Sequence, residues 1–516
     1  MTRSHEDNTP KREAQSGDVL GDEVLSGLIG RLGSDTLRYI PAIIVPAVVS
    51  ILYISIFTRI FAPGPYGEYA LVYVIVAILT SAISGWLQQS VLRYLPRYRQ
   101  QGQAGEFLAK FGSILWAVAA LILIAGLLLT PLIRPLAGGY ARYYAAAVVW
   151  VMAGVIFFVQ NHAFRANLQS ATFSRYQVLY SVGRLVFALL FVYLVSRDVI
   201  GMIVGAVVAY LVLLVPMMLE LGVFREMRLS GFSIDFKLLK NFARYGFPLV
   251  GFVLGVKVLD LSDRFIIELF RDSEEVGIYA ANSNVVTMGL LFVATPLLSA
   301  ALPLIVSTWE QGHQAQIQSV ISNFSRYYLL AAIPVMGFTI VYCREIATVL
   351  LGSEFREGYR IMPLVLVGSL LWNFGMYGHK GIKLLEKTRV MLVLVLTCCV
   401  VNIVLNVIVV PTYGYFGAAV TTMVSHSIYP VMVYFVTKRY LRWMIPWRSA
   451  LNIGIAGLLA SAGWWGVQWY LTGKLHVVLI LAIGLVAGMT VYAGVLFLIG
   501  ELRDYEKRLI TFRRSV

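Results

Sequence analysis

The sequence predicts an all-α polytopic membrane protein of about fourteen transmembrane helices, arranged as two parallel six-helix lobes followed by two C-terminal helices. Three observations predict it. Of 516 residues, 59% are hydrophobic and 13% charged, with a mean hydropathy of +0.76, whereas soluble domains carry about a quarter charged residues. The apolar residues arrive in runs of about 20, the length that crosses a hydrocarbon core, and barrel strands would instead alternate over about ten residues. Short motifs also recur along the chain at one offset of about 210 residues, the mark of an internal repeat. A soluble enzyme, a disordered chain and a disulfide scaffold are excluded.

Runs of this kind place spans at 39–61, 68–89, 111–133, 143–163, 175–196, 199–220, 246–266, 279–305, 326–345, 358–378, 389–410, 416–436, 449–471 and 475–498. The tightest turns are Ser196-Arg197-Asp198 and Thr472-Gly473-Lys474. Ahead of the first span, residues 1–38 are mixed-charge and polar, without the short apolar core of a signal peptide. Within them Val24, Leu25, Leu28, Ile29 and Leu32 fall at helical spacing and suggest an interfacial helix. The three cysteines (Cys343, Cys398, Cys399) all lie in spans without metal-ligand spacing, so they are expected to pack as small apolar residues and to bind no metal.

Basic residues set the orientation. With the N-terminus cytoplasmic, inner segments hold 30 of the 42 Lys and Arg and outer segments 10; Arg184 and Lys257 fall inside spans. The formal net charge of +15 is thus mostly an orientation signal facing the cytoplasm and its anionic lipids, rather than a footprint for nucleic acid. The expectation is a multi-pass protein of the cytoplasmic membrane with both termini inside.

The repeat is read from three matches. Tyr66-Gly67-Glu68-Tyr69-Ala70 answers Val276-Gly277-Ile278-Tyr279-Ala280 at an offset of 210, Gly201 to Val207 echoes Gly414 to Val420 at about 213, and Pro41 has a counterpart in Pro248. They give an N-lobe at 39–220, a cytoplasmic linker at 221–245, a C-lobe at 246–436, two extra spans at 437–498 and a basic tail at 499–516. Six spans separate the lobes, so both start from the same side. Such halves commonly enclose a central cavity and rock around it.

Several stretches carry a family resemblance. They are Thr58-Arg-Ile-Phe-Ala-Pro-Gly-Pro-Tyr-Gly-Glu-Tyr69, Tyr245-Gly-Phe-Pro-Leu249 followed by Asp263-Arg-Phe-Ile-Ile267 and Val276 to Ala280, and Asn402-Ile-Val-Leu-Asn-Val-Ile-Val-Val-Pro411 running on to Gly414 and Gly417. In this order and at these span positions, the chain resembles the Wzx-type oligosaccharide flippases of the multidrug/oligosaccharidyl-lipid/polysaccharide exporter superfamily. The resemblance implies a two-lobed fourteen-helix fold. It also implies a polyprenyl-linked glycan as cargo, moved to the outer leaflet for cell-surface polysaccharide such as O-antigen or exopolysaccharide, with polysaccharide-assembly proteins as partners.

Charges inside spans are costly and point to function by default. Lys257 lies about 16 Å into its span and Arg184 about 13 Å into its own, both near mid-depth. These are the first candidates for binding an anionic headgroup, Arg bidentately and Lys as a point charge. Lys257, Asp260 and Arg264 share about 60° of one helix face, with Asp263 beside it, and Asp260 and Arg264 are spaced for an i, i+4 ion pair. The stripe either lines a cavity or neutralises itself within the packing. Arg59 and Arg93, at span ends, and Arg264 are further candidates for binding the anionic substrate, with snorkelling as the competing role. Asp260, Asp263 and His426 are candidates for coupling to a proton or sodium gradient, and Asn402 and Asn406 for polar packing or cavity lining.

No cofactor is expected and coupling would come from membrane potential or an ion gradient. Gly473-Lys474 is followed by Leu475 in a two-helix turn, so no phosphate-binding loop is present. A cation-coupled drug exporter is the rival reading, weakened by the basic deep charge of the first lobe. A glycan polymerase or glycosyltransferase would need more than the short outer segment 345–357.

Overall fold

The computed structural model describes residues 41–312 and 314–502. The interfacial helix expected at 24–38 and most of the basic tail lie outside the described residues. The described chain forms fourteen α-helices: α1 (Pro41–Ile60), α2 (Pro63–Gln100), α3 (Ala104–Ala137), α4 (Tyr144–Ala166), α5 (Ser170–Leu194), α6 (Ile200–Leu221), the short α7 (Val223–Ser230), α8 (Phe236–Phe270), α9 (Ser273–Glu310), α10 (Gln314–Leu350), α11 (Met362–Leu384), α12 (Thr388–Thr437), α13 (Trp447–Leu471) and α14 (Val477–Leu498). Two 3₁₀ turns, Gly138–Tyr143 and Ser353–Ile361, sit between α3 and α4 and before α11.

Among the described residues eleven helical stretches are long and apolar enough to cross a membrane, and twelve when the bent α8 is included. Two of them fold back on themselves. Tyr144 Oη donates to the Gly126 carbonyl at 2.7 Å, closing α3 and α4 into a hairpin. Within α12, Gly414 takes a φ of 55° and a ψ of −143°, a conformation open to glycine at little steric cost. Beyond this kink Thr421 Oγ1 donates to Asn406 Oδ1 at 2.6 Å, although a straight helix would hold residues 15 apart about 22 Å from each other. With both hairpins counted, the described residues offer fourteen candidate crossings. Glu275 and Arg271 clamp the kink: the Glu275 carboxylate accepts from Tyr415 N at 2.8 Å and Arg271 donates to the Thr412 carbonyl at 2.9 Å.

α1–α6 pack as one lobe, with α2 against α4 and α5 against α6; α8–α12 pack as the other, with α11 and α8 against α12. The side holding the starts of α1 and α3 carries most of the basic residues and is called the inner side. On the outer side the lobes meet through main chain. A Cβ at Gly67 would overlap the Ser273 carbonyl and stand 2.9 Å from Gly277 N; one at Gly277 would overlap the Pro63 carbonyl and stand 3.1 Å from Gly67 N. The contact is reciprocal, each glycine facing the residue 210 positions from its own neighbour, as a two-fold axis along the membrane normal requires. Next to it Gly352 N donates to Thr58 Oγ1 at 3.1 Å, and Arg59 donates to the Val349 carbonyl at 2.5 Å. Toward the inner side the lobes meet through rings: Trp86 stacks on Phe247 at 5.2 Å and Tyr94 on Phe242 at 5.4 Å, while Arg93 lies 4.2 Å over Tyr245. α8 bends there by 53° between 236–247 and 250–270, around Pro248, which has no N–H for the helix ladder.

α13 and α14 dock on α10. Tyr342 Oη donates to the Trp464 carbonyl at 3.0 Å and Tyr492 Oη to the Leu330 carbonyl at 2.9 Å. At the inner end the buried Arg326 pairs with Glu501 at 2.8 Å, and Asn452 donates to the same carboxylate at 2.9 Å. Burial alone would raise the Glu501 carboxyl, but hydrogen bonds from Ser449, Arg326 and Asn452 outweigh it and hold it below the usual glutamate value of 4.5. Its contribution is therefore present above that value and lost as pH falls through the depressed one. Glu501→Ala, which removes the carboxylate that Arg326 and Asn452 share, is expected to cost about 1.5–3 kcal/mol. Thermal unfolding in detergent should show the loss at pH 7 and a smaller difference from the parent at acid pH.

Candidate functional site

A cavity of about 360 Å³ opens in the first lobe between α2, α4, α5 and α6, and α8 closes it from the other lobe through Lys257. Among the described residues, Arg184 of α5 and Lys257 are its only two Lys or Arg residues, and no Asp or Glu lines it. The Arg184 guanidinium lies 4.1 Å over the Tyr53 ring, and among the described residues its Nε has no hydrogen-bond partner. A cation held by an aromatic face, with donors to spare, suits an anion entering from the cavity. The remaining wall mixes aromatic faces with hydrogen-bonding side chains: Tyr73, Trp150, Tyr180 and Tyr210 on one hand, Ser84, Gln88, His162 and Gln177 on the other. Tyr180 and Tyr210 stack at 3.9 Å with their planes 6° apart, and Tyr73 lies 6.0 Å from Trp150. Rigid rings fix this shape at low conformational cost.

The second lobe holds a separate polar cluster. Asp263 is 1% exposed and accepts three hydrogen bonds, from Asn406 Nδ2 at 2.7 Å, Tyr279 Oη at 2.7 Å and Thr422 Oγ1 at 2.5 Å. Asn406 Nδ2 also reaches Asn402 Oδ1 at 3.1 Å, and Asn402 Nδ2 reaches Ser425 Oγ at 3.2 Å. His426 Nε2 lies 3.5 Å from Asp260 Oδ1, with Nδ1 2.9 Å from the Thr422 carbonyl. Asp260, Asp263, His426, Asn402 and Asn406 therefore converge on one region between α8 and α12. The main-chain kink that folds α12 back is what brings 402 and 406 against 421–426.

The stripe expected along α8 does not hold together. Lys257 faces the cavity, Asp263 is buried inside the second lobe, and Arg264 does not line the cavity but donates to Asn284 Oδ1 at 2.9 Å, its Nε without a partner among the described residues. Among the described residues no Asp260–Arg264 ion pair forms, because Asp260 turns to His426 instead. Neither Arg59 nor Arg93 lines the cavity: Arg59 caps the carbonyls that end α10, the position where a helix dipole favours a cation, and Arg93 packs on Tyr245. Sequence reasoning missed the ring-lined wall, because 29 Tyr and 10 Trp offer no mark separating cavity from interface. It also missed His162, near the inner end of its span.

A sequence profile of the polysaccharide biosynthesis protein family matches residues 32–309. Among curated proteins, the chain is similar to a probable low-salt glycan biosynthesis flippase, Agl15, of Haloferax volcanii, at 26% identity over 47% of this chain and 51% of that protein. It is also similar to an uncharacterized membrane protein of Methanocaldococcus jannaschii, at 20% identity over 63% of each. The match thus spans only about half to 63% of these relatives' own length. Among solved structures, the lipid II flippase MurJ in an inward closed conformation superposes with a TM-score of 0.73 at 13% identity, over 90% of this chain and 99% of that one. An inward-facing MATE multidrug transporter gives 0.62 at 14% identity, over 78% and 94%. Both share the fold. With a profile covering more than half its length, the chain belongs to the polysaccharide biosynthesis protein family.

Proposed function

We propose that this protein carries a polyprenyl-(pyro)phosphate-linked oligosaccharide from the cytoplasmic to the outer leaflet of the cytoplasmic membrane by alternating access, for assembly of a cell-surface glycan. The observation that carries the reading is a mid-membrane cavity with Arg184 from one lobe, Lys257 from the other and no carboxylate. The anionic headgroup would bridge the two cations, sugar hydroxyls would meet Gln88, Gln177 and Ser84, and the tail would remain in lipid. A cationic drug would meet only like charge there. The bias of 30 inner to 10 outer basic residues supports cytoplasmic termini. Energy for the reset would enter at the Asp263 cluster, where a proton or small cation could exchange with the donors that now surround the carboxylate.

Removing the gene should leave lipid-linked glycan on the cytoplasmic leaflet; drug sensitivity with normal surface glycan would refute the reading. Arg184→Gln and Lys257→Gln should each lower glycan export about tenfold or more at unchanged protein level, the equivalent of one charge-assisted contact. Full export in both variants would remove the two residues from the binding site.

A further inference from the structure

α4 and α11 hold the same place in the two halves, and their inner ends repeat in detail. After α4 the chain turns through Leu168 with a φ of 60°; after α11 it turns through Glu386 with a φ of 55°. The bonds of the turns correspond: Leu168 N to the Arg165 carbonyl and Gln169 N to that of Phe164, against Glu386 N to the Lys383 carbonyl and Lys387 N to that of Ile382. Every one of these residues is 218 positions from its mate. At this offset Arg165 answers Lys383 and His162 answers Lys380. Each half therefore presents two nitrogen side chains at i and i+3, on one helix face, at the inner end of the membrane.

The two ends lie within electrostatic reach of one another, the Arg165 charge acting on Lys383 across the lobes. Lys380 is 9% exposed, while Arg165 and Lys383 are open to water. Among the described residues none of these three has a carboxylate in ion-pair range. Cations converging from two bodies repel, and a largely buried ammonium without a counter-ion is costly, so the arrangement calls for an anion. His162, one turn deeper than Arg165, already belongs to the cavity wall and makes the path continuous.

We propose that Arg165, Lys380 and Lys383 form a phosphate-binding station at the inner mouth, where the phosphate of a membrane lipid is held before passing His162 to Arg184 and Lys257. The station rests on the flippase reading, since only a lipid-borne phosphate crossing the protein needs a holding point below the cavity. Its ligand chemistry is a phosphate or pyrophosphate on a lipid, which either the cargo or an anionic phospholipid of the inner leaflet supplies. An anion there also cancels the repulsion between the lobes and favours closure of the inner side.

The test uses the full chain in phosphatidylcholine nanodiscs, with farnesyl pyrophosphate as probe and amine acylation of Lys383 as readout. In the unmodified protein, and equally in R184Q/K257Q, the probe is expected to slow Lys383 acylation several-fold. R165Q/K383Q should bind it about tenfold more weakly, with a shallower dependence on salt. Protection by phosphatidylglycerol in the disc, with farnesyl pyrophosphate adding nothing, assigns the station to a lipid headgroup; protection by the probe over that background assigns it to the cargo. Lys383 reactivity unchanged in every arm overturns the proposal without calling on any variant to fold. Protection lost in R184Q/K257Q also overturns it, all binding then being central and the flippase reading intact. Full glycan export by R184Q/K257Q, with Lys383 still protected, fails the central site and supports the station.

Discussion

One methyl group at Gly67 or Gly277 is expected to hold the outer side of the protein open. Alanine in place of glycine inside a helix normally stabilises by about 1 kcal/mol, so local propensity predicts a gain. The packing predicts the opposite: each Cβ would overlap a main-chain carbonyl of the other lobe, Ser273 in one case and Pro63 in the other. A carbonyl in a helix end cannot rotate away as a side chain can, so the lobes must part. Gly67→Ala and Gly277→Ala should therefore raise labelling of a cysteine placed at Thr80, on the cavity wall, by an impermeant maleimide added from outside. An increase of about tenfold corresponds to about 1.4 kcal/mol against the closed state, and glycan export should fall with it. Gly289→Ala, on the same α9 but with nothing within 4 Å of the added carbon, is the control and should behave as the parent. Labelling at the parent level in the first two variants would mean that the outer closure lies elsewhere.

Asp263 separates stability from coupling. Asp263→Ala leaves Asn406, Tyr279 and Thr422 without their common acceptor in a region closed to water. Hydrogen bonds to a charged group contribute about 1.5–3 kcal/mol each in soluble proteins, while interhelical ones in membranes average about 0.6 because the loosened helices find other partners. A total loss of about 2–4 kcal/mol follows, visible as a fall of several degrees in the detergent melting temperature. Asp263→Asn keeps the shape and one acceptor, and the Tyr279 and Thr422 hydroxyls can turn to accept from the new amide. It should melt near the parent yet lose transport driven by an imposed sodium or proton gradient. Asp260→Asn, at a side chain 43% exposed, should change stability little. Gradient-driven transport at the parent rate in Asp263→Asn would remove this cluster from the coupling path.

The spans were legible because crossing a bilayer imposes a length on apolar sequence, and even the kinked α12 divides at Gly414, between its two expected spans. Helix ends were less so: α2 continues to Gln100 and α9 to Glu310, since a helix can run on into water with polar residues that hydropathy excludes. The depth of Arg184 and Lys257 could be counted from the sequence, and both do line one cavity. What periodicity could not supply was which neighbour each face of α8 meets. Residues within 60° of one another on that helix go to different surfaces, Lys257 to the first lobe and Asp260 to His426 in the second, because the long lysine stem reaches around the helix while the short aspartate stays on its own side. His162, Arg165, Lys380 and Lys383 lie at or just beyond the ends of the expected spans 143–163 and 358–378, where hydropathy gives a polar residue no special mark. Only the matched turns at Leu168 and Glu386 show that they are a pair of pairs.

The two closures between the lobes differ in material, and this bears on leakage. The outer one is main chain against main chain at Gly67 and Gly277. It is incompressible and leaves no room for a file of water, so it is either shut or fully disengaged. The inner one is rings on rings, Trp86 on Phe247 and Tyr94 on Phe242, which can slide and admit a bulky headgroup by degrees. A protein built this way can breathe on its inner side without opening a path across the membrane, because the hard barrier stays opposite the soft one.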